Sequence, residues 1–177
     1  NQFDGLIVDT IVETIENECP DVFGTGALSP MYDVIRAMFG AARHAKPDIV
    51  NLVGGGVFSS APNAVFRDME IDIGVMGEGE DAVLEIVREL EGGKDLTSVD
   101  GIYFRDESGE VVRTGARKPR RDLDALPWPD YEGFGLDEYF ETQNTIDQPF
   151  QHAEDNPRVV GMIASRSCPF SCTFCYH

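Results

Sequence analysis

Three short apolar runs, each running into glycine and each followed by a stretch of helical periodicity, constrain the first half of this chain more than any other feature. Residues 21–28, 48–53 and 71–76 are the length of strands rather than helices, and they read as strands buried in a sheet. Between the first two, Met31, Val34, Ile35, Met38, Ala42 and Ala45 share one helical face, which stops before Pro47. Ser29 and Pro30 supply a cap and a first-turn proline for that helix. Residues 63–69 suit a short helix, and Val83, Leu84, Val87 and Leu90 mark another that Gly92 ends. Upstream, Ile7, Val8, Ile11, Val12 and Ile15 predict an opening helix that stops at Cys19 and Pro20. Strands alternating with helices at this spacing predict an α/β fold with a parallel sheet covered on both faces.

The texture changes after Gly93. Residues 101–105 and 110–114 flank an Asp-Glu-Ser-Gly turn and predict a β-hairpin with Gly109 in the turn. From Arg120 the chain is rich in proline and acid, without clear periodicity until Asn156, which reads as a connector. Residues 158–164 then resume as a strand leading into a cysteine cluster. The expected organisation is an α/β domain over 1–92, hairpin and connector over 93–157, and the start of a further domain over 158–177.

Composition narrows the function classes. The hydrophobic share of 42% suffices for a packed core, and a net charge of −18 sets most of the surface against polyanions, so no nucleic-acid partner is expected. No apolar run reaches the length of a membrane span, and the first residues lack the basic and apolar regions of a signal peptide, so no membrane partner is expected either. The first residue is not methionine and the last follows a cysteine by two positions; the expectation is a segment of a longer, cytoplasmic protein.

Cys168, Cys172 and Cys175 fall within eight residues, with three and then two residues between them. Such spacing suits a shared metal centre better than a disulfide framework. Three thiolates from one loop hold three irons of a [4Fe-4S] cluster and leave the fourth open, whereas most electron-transfer clusters have all four bound. The alternative is a zinc knot of these three with His177, although the Cys-x-His spacing at its end is cramped for tetrahedral geometry.

Gly24, Gly26, Gly54, Gly55, Gly56, Gly77 and Gly79 all fall at the ends of the three strands. Glycine there lets the backbone approach a ligand, and in open α/β sheets the ligand crevice lies beyond the strands' carboxyl ends. Neither a Walker-type phosphate loop nor the dinucleotide Gly-x-Gly-x-x-Gly pattern is present.

Cys168, Cys172, Phe174 and Cys175 match the Cys-x3-Cys-x-aromatic-Cys signature of the radical S-adenosylmethionine (radical SAM) enzymes, which this loop resembles. One departure is Ser167, where relatives commonly have glycine. The resemblance implies that the open iron takes S-adenosylmethionine, whose reductive cleavage gives a 5′-deoxyadenosyl radical, with Phe174 beside the adenine. Further motifs extend the likeness: Pro20-Asp-Val-Phe-Gly24, Gly54-Gly55, Gly77-Glu-Gly-Glu80, Gly101-Ile-Tyr-Phe-Arg105 and Leu123-Asp-Ala-Leu-Pro127. In this order they resemble the cobalamin-binding-domain radical SAM proteins over nearly the whole chain.

That likeness implies a Rossmann-like, flavodoxin-like domain truncated at its N-terminus, then the first strand and cluster loop of a partial TIM barrel. It implies cobalamin held by Gly26, Leu28 and Ser29 on the first loop, Gly54 and Gly55 on the second, and Gly77 and Glu78 on the third. It also implies a small-molecule or natural-product substrate, methylation or rearrangement of an unactivated carbon, and a reductant such as flavodoxin or ferredoxin. No histidine occupies a lower-ligand motif for cobalt. Two rivals stay open, a radical SAM enzyme whose α/β domain binds no corrin and a zinc-binding regulatory module.

The remaining candidates have structural readings. Glu78, Glu80 and Asp81 are expected to favour a helix start, and Arg113, Arg117, Lys118, Arg120 and Arg121 to form a solvated strand end. His44 and His152 read as surface residues, Cys19 as a buried inert thiol, and Trp128 as pinning the connector to a domain surface.

Overall fold

The computed structural model describes residues 2–93, 95–142, 166, 168, 170, 172 and 173. The chain divides into two compact units, Asn1–Arg121 and Asp122–His177. The strand expected over 158–164, and with it the start of a barrel, lies outside the described residues.

The first unit follows the predicted alternation. Helix α1 (Gln2–Glu18) precedes β1 (Val22–Gly26), α2 (Tyr32–Ala45), β2 (Val50–Gly54), α3 (Gly55–Ser60), α4 (Pro62–Asp68), β3 (Ile73–Val75) and α5 (Glu80–Gly92). A hairpin of β4 (Ile102–Arg105) and β5 (Val111–Arg113) completes it. Strands β1, β2 and β3 are parallel neighbours, with Gly26 beside Gly54 and Val53 beside Gly74. The three expected strands are thus parallel, and the correction lies with the hairpin, which was expected outside the α/β domain: β4 joins the sheet antiparallel to β3, with Tyr103 opposite Gly74, so the sheet is mixed, in the order β1-β2-β3-β4-β5. The physical reason is connectivity, since β4 returns after α5 on the open edge of β3 and β5 follows by a tight turn with Gly109 at φ 84°.

Two further expectations change. The single helix expected over 63–69 is preceded by α3, which starts directly at the glycine run, and Pro62 opens α4 as a separate helix. The turn at Ser29–Met31 is a short 3-10 element flanked by Leu28, and Ser29 makes no side-chain cap.

Period-2 alternation along the strands divides the core between the two faces. Val53 and Tyr103 face α2, α3 and α4, packing with Ile35, Phe39, Val57, Phe58, Val65 and Phe66. Leu52, Ile73, Val75, Ile102 and Phe104 face α5, where Ala82 and Ile86 are fully buried. Helix α1 joins the α2 layer through Ile15, Ala42 and Ile49.

Gly74 is the small residue on which the first core is built. A Cβ there would stand 2.1 Å from Cζ of Phe58, whose ring has no solvent exposure. Phe58 meets Tyr103 edge-on at 5.5 Å between centroids and Phe66 at 5.8 Å, so helices α3 and α4 are tied to the hairpin strand across the glycine.

The N-terminal ends of the parallel strands are pinned by polar groups. Asn51 is fully buried; its Nδ2 donates to the carbonyls of Phe39 (3.2 Å) and Glu70 (2.6 Å), and its backbone N–H donates to Asp72 (2.7 Å). Arg43 at the end of α2 pairs with the same Asp72 carboxylate and donates to the Ile49 carbonyl. This network fixes the end of α2, the start of β2 and the turn into β3 against one another.

After β5, residues up to 121 run back along α5. Arg117 donates to both oxygens of Glu85 and to the carbonyl of Asp100. The ion pair holds the Glu85 carboxyl below its ordinary range and raises the guanidinium. Among the described residues no helix is long and apolar enough to cross a membrane.

Two predictions follow from this packing. Gly74→Ala forces the Phe58 ring to move within a filled core and lowers the unfolding free energy by about 1–3 kcal/mol, read by urea denaturation. A carboxyl whose folded pKa is depressed contributes stability above its unfolded value, near 4, and loses it as pH falls through the folded one. The thermal midpoint of the wild-type protein therefore falls more steeply on acidification below about pH 4 than that of Arg117→Ala.

Candidate functional site at the carboxyl ends of the strands

Because β1, β2 and β3 are parallel and adjacent, the three loops that leave their carboxyl ends sit side by side. The first carries Gly26, Leu28 and Ser29, the second Gly54 and Gly55, the third Gly77 and Glu78. All seven positions named from sequence on the first unit thus share one edge of the sheet.

Their roles differ. A Cβ on Gly26 would lie 3.1 Å from the carbonyl oxygen of Gly54, and Gly55, at φ 76°, has Ala27 atoms as close as 3.1 Å on that side. The Ala27 carbonyl also accepts the N–H of Val57 at 2.8 Å. Gly26 and Gly55 are therefore glycine because loops one and two press against each other, which makes a rigid floor. Gly77, at φ 77°, and Gly79 have no atom within 4 Å of a Cβ position, so the third loop presents bare backbone to its surroundings. Leu28 is 68% exposed on the first loop beside exposed Ser29. A braced floor, an open glycine loop and a protruding apolar side chain form an edge suited to a large, partly apolar ligand that approaches the backbone closely.

The third loop is held by the residues that follow β5. The Glu78 carboxylate accepts the main-chain N–H of Arg120 at 2.9 Å, and the Arg120 guanidinium reaches both oxygens of Asp81. The hydrogen bonds from Arg120 hold the Asp81 carboxyl below its usual range. Arg113 lies over the Tyr103 ring at 5.6 Å. The solvated-strand-end reading of the basic run is thus corrected for Arg117 and Arg120, which pair with acids of α5, while Arg113, Lys118 and Arg121 are exposed as expected. The sequence signal was a basic run opposite helical acids four apart, Asp81 and Glu85.

In the second unit, α6 (Leu136–Thr142) is a short helix within the expected connector. Trp128 is 85% exposed. Cys168 is half-buried and Cys172 exposed, while Cys175 and Phe174 lie outside the described residues. No group of three or more His, Cys, Asp or Glu residues that could hold a metal occurs among the described residues. Cys19 is also corrected. It is exposed and adopts φ 47° at the end of α1, because the chain must reverse there before Pro20. His44 is exposed as expected, and His152 lies outside the described residues.

The B12 binding domain family model matches residues 2–87. The anaerobic magnesium-protoporphyrin IX monomethyl ester cyclase of Rubrivivax gelatinosus is 32% identical over 96% of this chain and 29% of its own length. The cytidylyl-2-hydroxyethylphosphonate methyltransferase of Streptomyces wedmorensis is 28% identical over 97% and 35%. The chain thus spans about a third of the length of these curated relatives. Among solved structures, the radical S-adenosylmethionine methyltransferase TsrM of Kitasatospora setae, with cobalamin and a [4Fe-4S] cluster bound, superposes with a TM-score of 0.53. That likeness, at 20% identity over 72% of this chain and 23% of TsrM, is one of fold. The chain thus carries a B12-binding domain over residues 2–87, has curated relatives along almost all of its length, and shares its fold with cobalamin-containing radical SAM proteins, the family it resembles.

Proposed function

We propose that this chain provides the cobalamin cradle and the cluster-binding loop of a cobalamin-dependent radical SAM enzyme that methylates or rearranges an unactivated carbon. One observation carries the reading: a B12-binding domain over residues 2–87 precedes Cys168, Cys172 and Cys175 at radical SAM spacing. Both kinds of outcome occur among the names of its relatives, a methyltransferase and a cyclase.

In this reading Gly26, Leu28 and Ser29, Gly54 and Gly55, and Gly77 and Glu78 line the corrin side of the sheet edge. The stiff floor made by loops one and two lowers the ordering cost of binding, and the bare third loop admits the ligand to main-chain hydrogen bonds. The Glu78 carboxylate also accepts the Arg120 N–H, which ties the third loop to the segment after β5. Cys168, Cys172 and Cys175 would hold three irons as thiolates, and Phe174 would lie beside the adenine of S-adenosylmethionine. When bound, these groups supply reductive carbon–sulfur cleavage at the cluster and a methyl carrier at the corrin. The three thiols need a reducing compartment, the cytoplasm, and a low-potential donor of the flavodoxin or ferredoxin class. The substrate is a small molecule.

Two measurements on the full-length protein test this. After incubation with hydroxocobalamin and gel filtration, corrin absorbance is expected to travel with the protein, and a colourless protein peak overturns the cradle. Anaerobic reconstitution is expected to give about four irons and four sulfides per chain. Cys172→Ala is expected to lose most of that iron while keeping the corrin. A preparation that takes up only zinc removes the radical chemistry.

A further inference from the structure

The third loop lacks what holds the other two. Loops one and two brace each other backbone to backbone, but Gly77 and Gly79 have no neighbour on the side where a side chain would stand. A segment with two unbuttressed glycines loses much conformational freedom on ordering, so its shape must be imposed from outside. At the start of α5 the Val83 N–H holds the Gly79 carbonyl at 2.8 Å, but no side chain caps the helix. Acidic residues gather at this helix start, Glu78, Glu80 and Asp81.

Arg120 contacts two of these acids. Its main-chain N–H meets the Glu78 carboxylate at 2.9 Å, and its guanidinium meets Asp81 through Nε at 3.2 Å and through a second nitrogen. The contacts lie on either side of Gly79 and Glu80, so one residue spans the loop and the first turn of the helix. The pair is partly shielded, with side-chain exposures of 29% and 37%, which makes it stronger than a fully solvated one. Arg117 makes an analogous pair one helical turn further on, with Glu85, but touches nothing in the loop itself.

We infer that Arg120 is a positioning residue for the cobalamin cradle: by clamping Glu78 and Asp81 it holds the Gly77 loop in the shape that receives the corrin. The inference rests on the cobalamin reading above and adds a residue outside the B12-binding match at residues 2–87. It makes the segment after the hairpin part of the cradle's construction, and Arg117 provides the matched control.

The test uses the full-length protein as wild type, Arg120→Ala, Arg120→Lys and Arg117→Ala. Hydrogen–deuterium exchange is followed over peptides covering residues 76–84 and, as a reference, 22–28. Hydroxocobalamin affinity is measured by absorbance titration. In Arg120→Ala, exchange over 76–84 is expected to quicken at least tenfold with 22–28 unchanged, and corrin affinity to drop at least tenfold. Arg120→Lys recovers part of both, and Arg117→Ala leaves exchange over 76–84 near wild type. Unchanged exchange in Arg120→Ala, or equal acceleration in Arg117→Ala, overturns the clamp. If the clamp holds but corrin affinity does not move in Arg120→Ala, the positioning role is overturned. A wild-type protein that binds no hydroxocobalamin overturns the cradle itself, and exchange over 76–84 separates that outcome from failure of the clamp.

Discussion

The seat of the Phe58 ring on Gly74 decides how this sheet is assembled. Any side chain on β3 at that point would lift the ring, and with it α3 and α4, away from the strands. Since Phe58 also meets Tyr103 of β4, the same contact joins the helical layer to the antiparallel hairpin. The hairpin is thus an integral part of the first unit, and the residues that follow it arrive at α5 in a defined position. From there Arg117 and Arg120 reach their carboxylates on α5.

The glycines at the strand ends divide into two physical kinds. Gly26 and Gly55 are small because another backbone is against them, which produces a floor that changes little when a ligand arrives. Gly77 and Gly79 have open space where a Cβ would stand, so no close packing requires glycine there. An invariant description as "glycine-rich loops" hides that difference, and the difference determines which substitutions would damage folding and which would damage binding.

Much of the first unit was legible because its signals are local. The runs at 21–28, 48–53 and 71–76, the helical face from Met31 to Ala45, and the turn at Gly109 all reflect period and punctuation within a few residues. The side-by-side placement of Gly26, Gly54 and Gly77 followed from parallel strands alone. The antiparallel docking of β4 on β3 was not legible, since strand order and direction depend on long-range pairing that no local pattern encodes. The same is true of the arginines after β5. Their partners lie more than thirty positions away on α5, so a basic run looked like a solvated end. Cys19 was misread because its hydrophobic character outweighed its place at a chain reversal. The cysteine motif was legible from spacing, a feature independent of packing.

The polar pin of Asn51, Asp72 and Arg43 and the glycine edge occupy opposite ends of the same parallel strands. Substitutions at sites so far apart act almost independently on free energy. Residues at the open edge can therefore be exchanged without eroding the anchor that keeps the strands in register, so the two ends of the sheet can be altered one at a time.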